Sequence, residues 1–363
     1  MGKFFSKVLL VFLTAFLALA MAACGNSAKT QGESSSKGKS SKKEGEQIVI
    51  KIADSFPASH LIPKTGTLPW IKRIEELGKG KIKIEYYPAE QLGKAASLLD
   101  AAKNRVADIT YVGPLYVNDK MPLSGVTGNP GLVKDAVSGS KAFDKLIKED
   151  LYELEFKPNG VRPLWGGTTN PYQIVNSVHK VTKPADFKGL KIRTSGGLQE
   201  EMMESLGSTP VSIPGPEIFS AWDRGTIDGT LLSFFSWPGY QTDKVAKFSS
   251  KNAQLSAFGI TYVVNEKAWN SWPEDVQKAI TQASDEIVEK FGHAIIDEEA
   301  ILEEQYRKAG VEIYDIPEAD LEKLNEELEP FNKKWAKDLD AKGQPGTKIL
   351  EKFRQYNKEF QNK

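Results

Sequence analysis

The chain has 363 residues, of which 40% are hydrophobic and 26% are charged, a composition typical of folded proteins with room for two domains. Lys and Arg together number 48, and Asp and Glu also number 48, so no net positive charge points to a nucleic-acid partner. The single cysteine, Cys24, excludes an intramolecular disulfide and a cysteine-based zinc site, and the three histidines are widely spaced, which leaves only carboxylate metal sites open.

The first 23 residues have the pattern of a bacterial signal peptide. Lys3 and Lys7 supply positive charge, and the apolar run over residues 8–20 is shorter than the ~20 residues of a membrane-spanning helix. Met21-Ala-Ala-Cys24 resembles a lipobox, which implies cleavage before Cys24 and a diacylglycerol on its thiol. We therefore expect a protein lipid-anchored to the cell membrane outside the cytoplasm, in a periplasm or on a Gram-positive surface. The alternative is an uncleaved membrane anchor.

Residues 24–46 follow as a hydrophilic spacer. This stretch is rich in Ser, Gly, Lys and Glu and has almost no apolar residue, so burial cannot offset the entropy lost on ordering. We predict a disordered tether that holds the folded body about 25 Å from the membrane.

The body begins with alternating strands and helices. Alternation of apolar and polar residues predicts strands at 48–53, 81–87 and 107–112, and apolar residues at helical spacing predict helices at 64–77 and 95–104. This order is typical of a parallel sheet with crossover helices.

The rest of the body continues this mixture and ends in helices. The predicted elements are, in order, a helix at 133–156, strands at 161–165, 172–176 and 190–194, a helix at 198–206, a strand at 211–213, a helix at 217–224, a strand at 227–232, a long helix from Pro273 to about Lys308, a strand at 311–314, and helices at 318–342 and 347–360.

Two α/β units and a long late helix predict a two-lobed α/β clamshell in which the long helix spans both lobes. We assign lobe I to residues 47–170 with part of 258–300, lobe II to 171–257 with part of 301–345, and a C-terminal helix to 346–363. Ligands of open α/β sheets bind beyond the carboxyl ends of strands, so residues just after strands are the candidates for a site.

Signatures of catalysis are missing from the sequence. It contains no Gly-x-Ser-x-Gly, no Gly-x-x-x-x-Gly-Lys-Ser/Thr and no His-Glu-x-x-His, and Gly78-Lys79-Gly80 lacks the third glycine of a dinucleotide loop. The residues therefore give catalysis little support, and we expect no metal and no other cofactor.

Arg193 is the main candidate for ligand binding. It ends the strand predicted at 190–194, where Leu190 and Ile192 face one side and Arg193 the other. A guanidinium in that position can bind a carboxylate through two parallel hydrogen bonds. The alternative is a structural ion pair, for example with Asp186.

Four segments in chain order carry a recognisable pattern. They are Glu85-Tyr-Tyr-Pro-Ala-Glu-Gln-Leu-Gly93, Asp186-Phe-Lys-Gly-Leu-Lys-Ile-Arg193, Glu217-Ile-Phe-Ser-Ala-Trp-Asp-Arg-Gly-Thr-Ile-Asp-Gly229 and Trp272-Pro-Glu-Asp-Val-Gln-Lys-Ala-Ile280. Together they resemble the solute-binding proteins of tripartite ATP-independent periplasmic (TRAP) transporters. The resemblance extends over about Ile48 to Gly343 and gives the expected clamshell its periplasmic-binding-protein-like character.

This resemblance implies a protein that closes on a small organic carboxylate, anchors it with Arg193, and delivers it to an ion-gradient-driven permease. It also aligns further positions with the pocket, and for each of them packing in the core or a turn is the alternative. These positions are Ser55, Phe56, Tyr116, Trp165 and Gln173.

The chain departs from polar-acid-binding relatives after Asp228-Gly229. Those relatives often have Glu-Asn there, whereas residues 230–237 are Thr-Leu-Leu-Ser-Phe-Phe-Ser-Trp. We therefore expect an apolar or aromatic carboxylate that packs on Phe235 or Trp237. The alternative is that these side chains fill the core beside the hinge.

Three other classes of protein remain open from the residues alone. The first is a binding protein of an ABC transporter or of a sensor, against which the order of the Arg193 and Asp228-Gly229 segments argues. The second is an extracytoplasmic lyase or hydrolase, which the missing motifs disfavour. The third is a structural adhesin, which the α/β pattern disfavours.

Overall fold

A computed structural model of the chain describes residues 47–361. The signal peptide, the lipidation site at Cys24 and the tether, all predicted from sequence, lie outside this range. Within residues 47–361, no helix combines the length and the apolar character needed to cross a lipid bilayer.

Eleven strands and ten helices are named here in chain order. The strands are β1 Ile48–Ala53, β2 Ile82–Tyr87, β3 Ile109–Val112, β4 Val161–Thr168, β5 Gln173–Asn176, β6 Lys191–Thr194, β7 Thr209–Ser212, β8 Gly229–Leu232, β9 Phe248–Ser250, β10 Gly259–Asn265 and β11 Glu312–Tyr314. The helices are α1 Leu68–Gly78, α2 Leu98–Lys103, α3 Ala136–Glu149, α4 Leu198–Ser205, α5 Ile218–Asp223, α6 Trp237–Tyr240, α7 Glu266–Ser271, α8 Glu274–Lys308, α9 Glu318–Ala341 and α10 Gly346–Gln361.

Lobe I is built on a five-stranded sheet in the order β2-β1-β3-β10-β4. β1 pairs in parallel with β2 and β3, but β10 runs antiparallel to both β3 and β4. The expectation of a parallel sheet is therefore wrong for this half of the sheet, because a strand from late in the chain enters between two early strands.

Lobe II is built on a six-stranded sheet in the order β11-β9-β5-β8-β6-β7. β6 is parallel to β7 and β8, whereas β5 is antiparallel to β8 and β9. The chain passes from the first sheet to the second between β4 and β5 and returns between β9 and β10. Residues near these crossings therefore lie where the two lobes meet.

The helix predicted at 133–156 is divided in the structure. α3 ends at Glu149, and a separate π-helical turn follows at Tyr152–Phe156. Glu155 in this turn is buried and accepts hydrogen bonds from the backbone of Leu123 and Ser124. The turn therefore fixes the position of the loop after β3 through hydrogen bonds to its backbone.

α8 contacts both lobes. It starts after Pro273, carries acidic residues in its first turn and Arg307 and Lys308 in its last, and extends for 35 residues, or about 52 Å. These charges complement the helix dipole. α8 packs on α1, α3 and β4 of lobe I and on β11 and the turn Phe234–Ser236 of lobe II.

Candidate ligand-binding site

Arg193 lies on β6 and is buried between the lobes. Its side chain is among the largest fully buried ones, and the residue is 1% exposed. The Nε atom donates to the carbonyl oxygen of Ile213 at 2.8 Å, and Nη2 lies 3.4 Å from the Tyr116 hydroxyl. Because burying a cation without a counter-charge is costly, Arg193 requires an explanation.

No carboxylate among residues 47–361 forms an ion pair with Arg193. The sequence-based alternative was Asp186, but its Oδ2 accepts hydrogen bonds from the backbone of Thr182 and Lys183. The 29 ion pairs between described residues do not include Arg193. The positive charge of the Arg193 guanidinium therefore has no counter-charge within residues 47–361.

Tyr116 connects the two lobes at this point. It lies in a short helical turn at Pro114–Val117 that follows β3 of lobe I. Its hydroxyl oxygen accepts a hydrogen bond from the Gly215 N–H at 3.0 Å and lies beside Arg193 of lobe II. Its ring packs against Phe258, with centroids 4.8 Å apart. Tyr116 therefore positions Arg193 at the interface.

Two more buried tyrosines interact electrostatically with Arg193. Burial raises the pKa of Tyr172 and of Tyr240 well above the ordinary value; Tyr116 raises both further, and Arg193 lowers both. The hydroxyls of Tyr172 and Tyr240 therefore stay protonated at neutral pH. They can bind a ligand oxygen, but they do not neutralise the arginine.

Seven aromatic side chains form a closed sequence of contacts, which we call the aromatic cluster. Each ring lies next to the following one, and the last contacts the first, with centroid separations of 4.5 to 6.4 Å. The members are, in order, Phe56, Tyr111, Tyr262, Trp165, Phe291, Phe235 and His60. They come from both lobes and from α8, so the cluster also lies at the interface.

Asp54 fixes one side of the aromatic cluster. This buried carboxylate accepts hydrogen bonds from the Tyr86 hydroxyl at 2.6 Å, from the Tyr262 hydroxyl at 3.0 Å and from the Phe56 N–H at 3.1 Å. Burial raises the pKa of Asp54 to about 6, and these hydrogen bonds partly oppose the shift. With both oxygens in use, Asp54 orients its neighbours.

Glu299 of α8 fixes the other side. Its Oε1 accepts from the Phe235 N–H at 3.0 Å, and its Oε2 accepts from the Asn170 amide in the crossing between β4 and β5. Burial raises the pKa of Glu299 to about 7. This carboxyl group therefore ties the long helix to the crossing segment and to the backbone of an aromatic cluster residue.

Several residues predicted from sequence meet at this interface. Phe56, Trp165 and Phe235 are members of the aromatic cluster, and Tyr116 contacts Arg193. Ser55 precedes Phe56, and its buried hydroxyl has no hydrogen-bond partner within residues 47–361. The structure thus gathers sequence-distant candidates in one region.

Gln173 and Trp237 are placed differently. The Gln173 Nε2 atom donates a hydrogen bond to the Ala253 carbonyl oxygen at 2.8 Å. Its Oε1 atom accepts hydrogen bonds from the Ser250 hydroxyl at 2.8 Å and from the Ala253 N–H at 3.0 Å. Trp237 stacks on Tyr306, with centroids 4.5 Å apart, and packs against Phe234, and neither of these rings belongs to the aromatic cluster. Their ligand roles therefore remain predictions that these contacts do not support.

The site also contains residues that sequence reasoning missed. Tyr111, Tyr262 and Phe291 alternate with core residues on strands or a helix, so nothing in the sequence separates them from ordinary packing. His60 offered a signal, because it follows β1 by a few residues and is one of three histidines. Sequence reasoning also missed Asp54, Tyr172, Tyr240 and Glu299.

Known proteins share this architecture. A TRAP solute-binding protein from Rhodoferax ferrireducens, solved with copurified benzoate, has a TM-score of 0.82 at 23% identity, covering 87% of this chain and 99% of that one. A marine metagenome TRAP solute-binding protein specific for aromatic acid ligands, solved with 3-hydroxybenzoate, has a TM-score of 0.82 at 22% identity and the same coverage. These likenesses confirm the predicted two-lobed α/β fold.

Sequence comparison gives the family. The C4-dicarboxylate-binding periplasmic protein DctP of Rhodobacter capsulatus is 27% identical over 277 residues, which cover 70% of this chain and 75% of that protein. The family model described as bacterial extracellular solute-binding protein, family 7, matches residues 53–338. Since this match spans well over half of the chain, the protein belongs to family 7 of the bacterial extracellular solute-binding proteins, the DctP family.

Proposed function

We propose that this protein is the extracytoplasmic receptor of a TRAP-type transporter and captures a small aromatic monocarboxylate. Membership of the DctP family supports the receptor role. In this proposal, the two lobes hold the acid between them and deliver it to a permease that is driven by an ion gradient. The protein itself performs no chemical step.

The observation that carries the proposal is the buried guanidinium of Arg193, which forms no ion pair within residues 47–361. An organic carboxylate would supply the missing negative charge and accept two parallel hydrogen bonds from the fork of the guanidinium. The Tyr116 hydroxyl and the neutral hydroxyls of Tyr172 and Tyr240 would surround the same group. A cationic or sugar-like ligand would leave the arginine without a counter-charge.

The aromatic cluster supports an aromatic ligand body. Its rings are buried at the same interface as Arg193. Tyr240 interacts with both: its ring packs against His60 of the cluster, with centroids 4.8 Å apart, and its hydroxyl interacts electrostatically with Arg193. Apolar surface with a few convergent polar groups is typical of small-molecule sites. Benzoate and 3-hydroxybenzoate in the two similar structures agree with this class of ligand.

Ligand-dependent thermal stability tests the proposal. At a concentration one hundred times Kd, benzoate should add about 2.7 kcal/mol to the free energy of unfolding and raise Tm by about 4 °C. At the same concentration as benzoate, succinate and gluconate should give smaller shifts in Tm, because neither has a ring to pack on the aromatic cluster. A larger shift with gluconate than with benzoate would contradict an aromatic ligand.

We also propose that a lipid on Cys24 anchors the receptor to the membrane. The Met21-Ala-Ala-Cys24 sequence supports this, and cleavage there would leave the cysteine as the first residue. Expressed in a bacterium with lipoprotein processing, the full chain should sediment with membranes and carry a diacylglycerol mass at Cys24. Cys24→Ser should release it. Equal membrane association of both forms would argue for an uncleaved anchor.

A further inference from the structure

His60 presents a buried donor at the same interface. The residue is 1% exposed and follows β1, just before the π-helical turn at Pro63–Thr67. Its Nδ1 accepts a hydrogen bond from the Ile62 N–H at 3.1 Å. Because a neutral imidazole has one proton and Nδ1 is the acceptor, the proton resides on Nε2.

The Nε2–H group has no hydrogen-bond partner within residues 47–361. Its ring is enclosed by Phe56 and Tyr240, at centroid distances of 4.9 and 4.8 Å, and by Phe235 at 6.0 Å. The backbone of Gly239 closes a further side, since a Cβ there would lie 2.2 Å from His60 Cδ2. A buried N–H without a partner is rare in native proteins and calls for an explanation.

The donor is neutral under ordinary conditions. Burial lowers the pKa of His60 to about 3. An uncharged N–H among aromatic rings pairs well with an uncharged oxygen, whereas a second carboxylate there would be desolvated without a counter-charge. This chemistry disfavours a dicarboxylate and favours a neutral acceptor.

We propose that His60 determines specificity by donating its Nε2–H to a neutral acceptor oxygen on the ligand ring, at the end away from the carboxylate. The acceptor is an ether, carbonyl or hydroxyl oxygen. The inference rests on the proposed function, because Arg193 holds the carboxylate and so sets the direction of the ligand. Tyr240 connects the two ends: it contacts His60, and its ring touches Gly215, which donates to Tyr116 beside Arg193.

Matched ligand pairs test this assignment. Methoxybenzoate and ethylbenzoate have nearly the same shape, but only the methoxy compound has an acceptor oxygen. The meta and para isomers of each are titrated calorimetrically into the wild-type protein. In at least one isomer pair, the methoxy compound should bind about tenfold more tightly, the scale of one well-made hydrogen bond.

Two variants at position 60 separate the donor from the fold. In His60→Asn the Oδ1 atom can still accept from the Ile62 N–H, as in an Asx turn, but the side chain no longer reaches the aromatic cluster. In His60→Gln an amide N–H reaches about as far as Nε2. The methoxy preference, taken as the ratio of the two affinities within a matched pair, should vanish in His60→Asn and persist in His60→Gln. This ratio is independent of any change in benzoate affinity that loss of the His60 ring contacts causes in both variants.

Trp165→Phe provides the comparison within the aromatic cluster, because the buried Trp165 Nε1–H also has no hydrogen-bond partner among the described residues. It should leave the methoxy preference intact. Loss of the preference in Trp165→Phe but not in His60→Asn would overturn the assignment to His60. Equal affinities within every wild-type pair, with benzoate still bound, would overturn the inference but keep the proposed function. If no aromatic acid binds the wild-type protein, both fail.

Discussion

Arg193→Ala is expected to weaken benzoate binding by roughly 30- to 5,000-fold. Truncating one partner of a buried, hydrogen-bonded charge pair costs about 2–5 kcal/mol. The loss is large because Arg193 is the cation beside Tyr116, and no other cationic side chain of the described residues contacts Tyr116 there to replace it. Isothermal titration of the variant beside the wild-type protein measures it directly.

Two further arginine variants show whether the effect belongs to this guanidinium. Arg193→Lys keeps a positive charge but loses the planar fork and the Nε bond to Ile213, so it should recover only part of the affinity. Arg162→Ala removes an arginine that pairs with Glu266 at 2.9 Å and should leave affinity unchanged. If Arg193→Ala binds benzoate within threefold of the wild type, Arg193 is not the carboxylate anchor.

Local patterns in the sequence predicted most of the elements. The long helix is the best case: the prediction ran from Pro273 to about Lys308, and α8 spans Glu274–Lys308. Proline at its start, acidic residues in the first turn and apolar residues at helical spacing all act within the helix itself. Such signals are readable without knowing what the helix packs on.

The antiparallel strand pairs and the strands β9 and β10 were not predicted. All seven residues of β10 are buried, so the run lacks the alternation that marks a half-exposed strand. Its partners β3 and β4 precede it by about a hundred residues or more, and nothing local determines that it enters between them. Sheet order is a tertiary property, whereas strand formation is partly a local one.

The site was predictable only in part, for the same reason. Arg193 could be found because a basic residue at the carboxyl end of a strand has a direct chemical use. Sequence reasoning reached three members of the aromatic cluster but not the cluster itself, since its members come from segments between Phe56 and α8 and meet by tertiary contact. Phe235 and Trp237 are two residues apart, yet one joins the aromatic cluster and the other stacks on Tyr306.

Phe291→Ala is expected to lower the free energy of unfolding by about 3–5 kcal/mol and Tm by about 5–7 °C. Phe291 of α8 is fully buried and packs edge-on against Trp165 of lobe I at 5.4 Å and Phe235 of lobe II at 6.4 Å. Its ring lies close to the backbone of Gly66 and Gly167. Glycines have no side chain with which to fill the space, so the cavity would remain.

Differential scanning calorimetry of three variants distinguishes packing by Phe291 from a general weakening of α8. Phe291→Leu retains most of the volume and should cost less than half as much as alanine. Ile301→Ala removes an apolar side chain from the same helix at a position that is 55% exposed, and should change stability by less than about 0.5 kcal/mol. If Phe291→Ala were no more destabilising than Ile301→Ala, α8 would not hold the lobes through this ring. If the expected order is found, the two lobes are coupled at the aromatic cluster itself, and the ring contacts of the proposed ligand site also stabilise the fold.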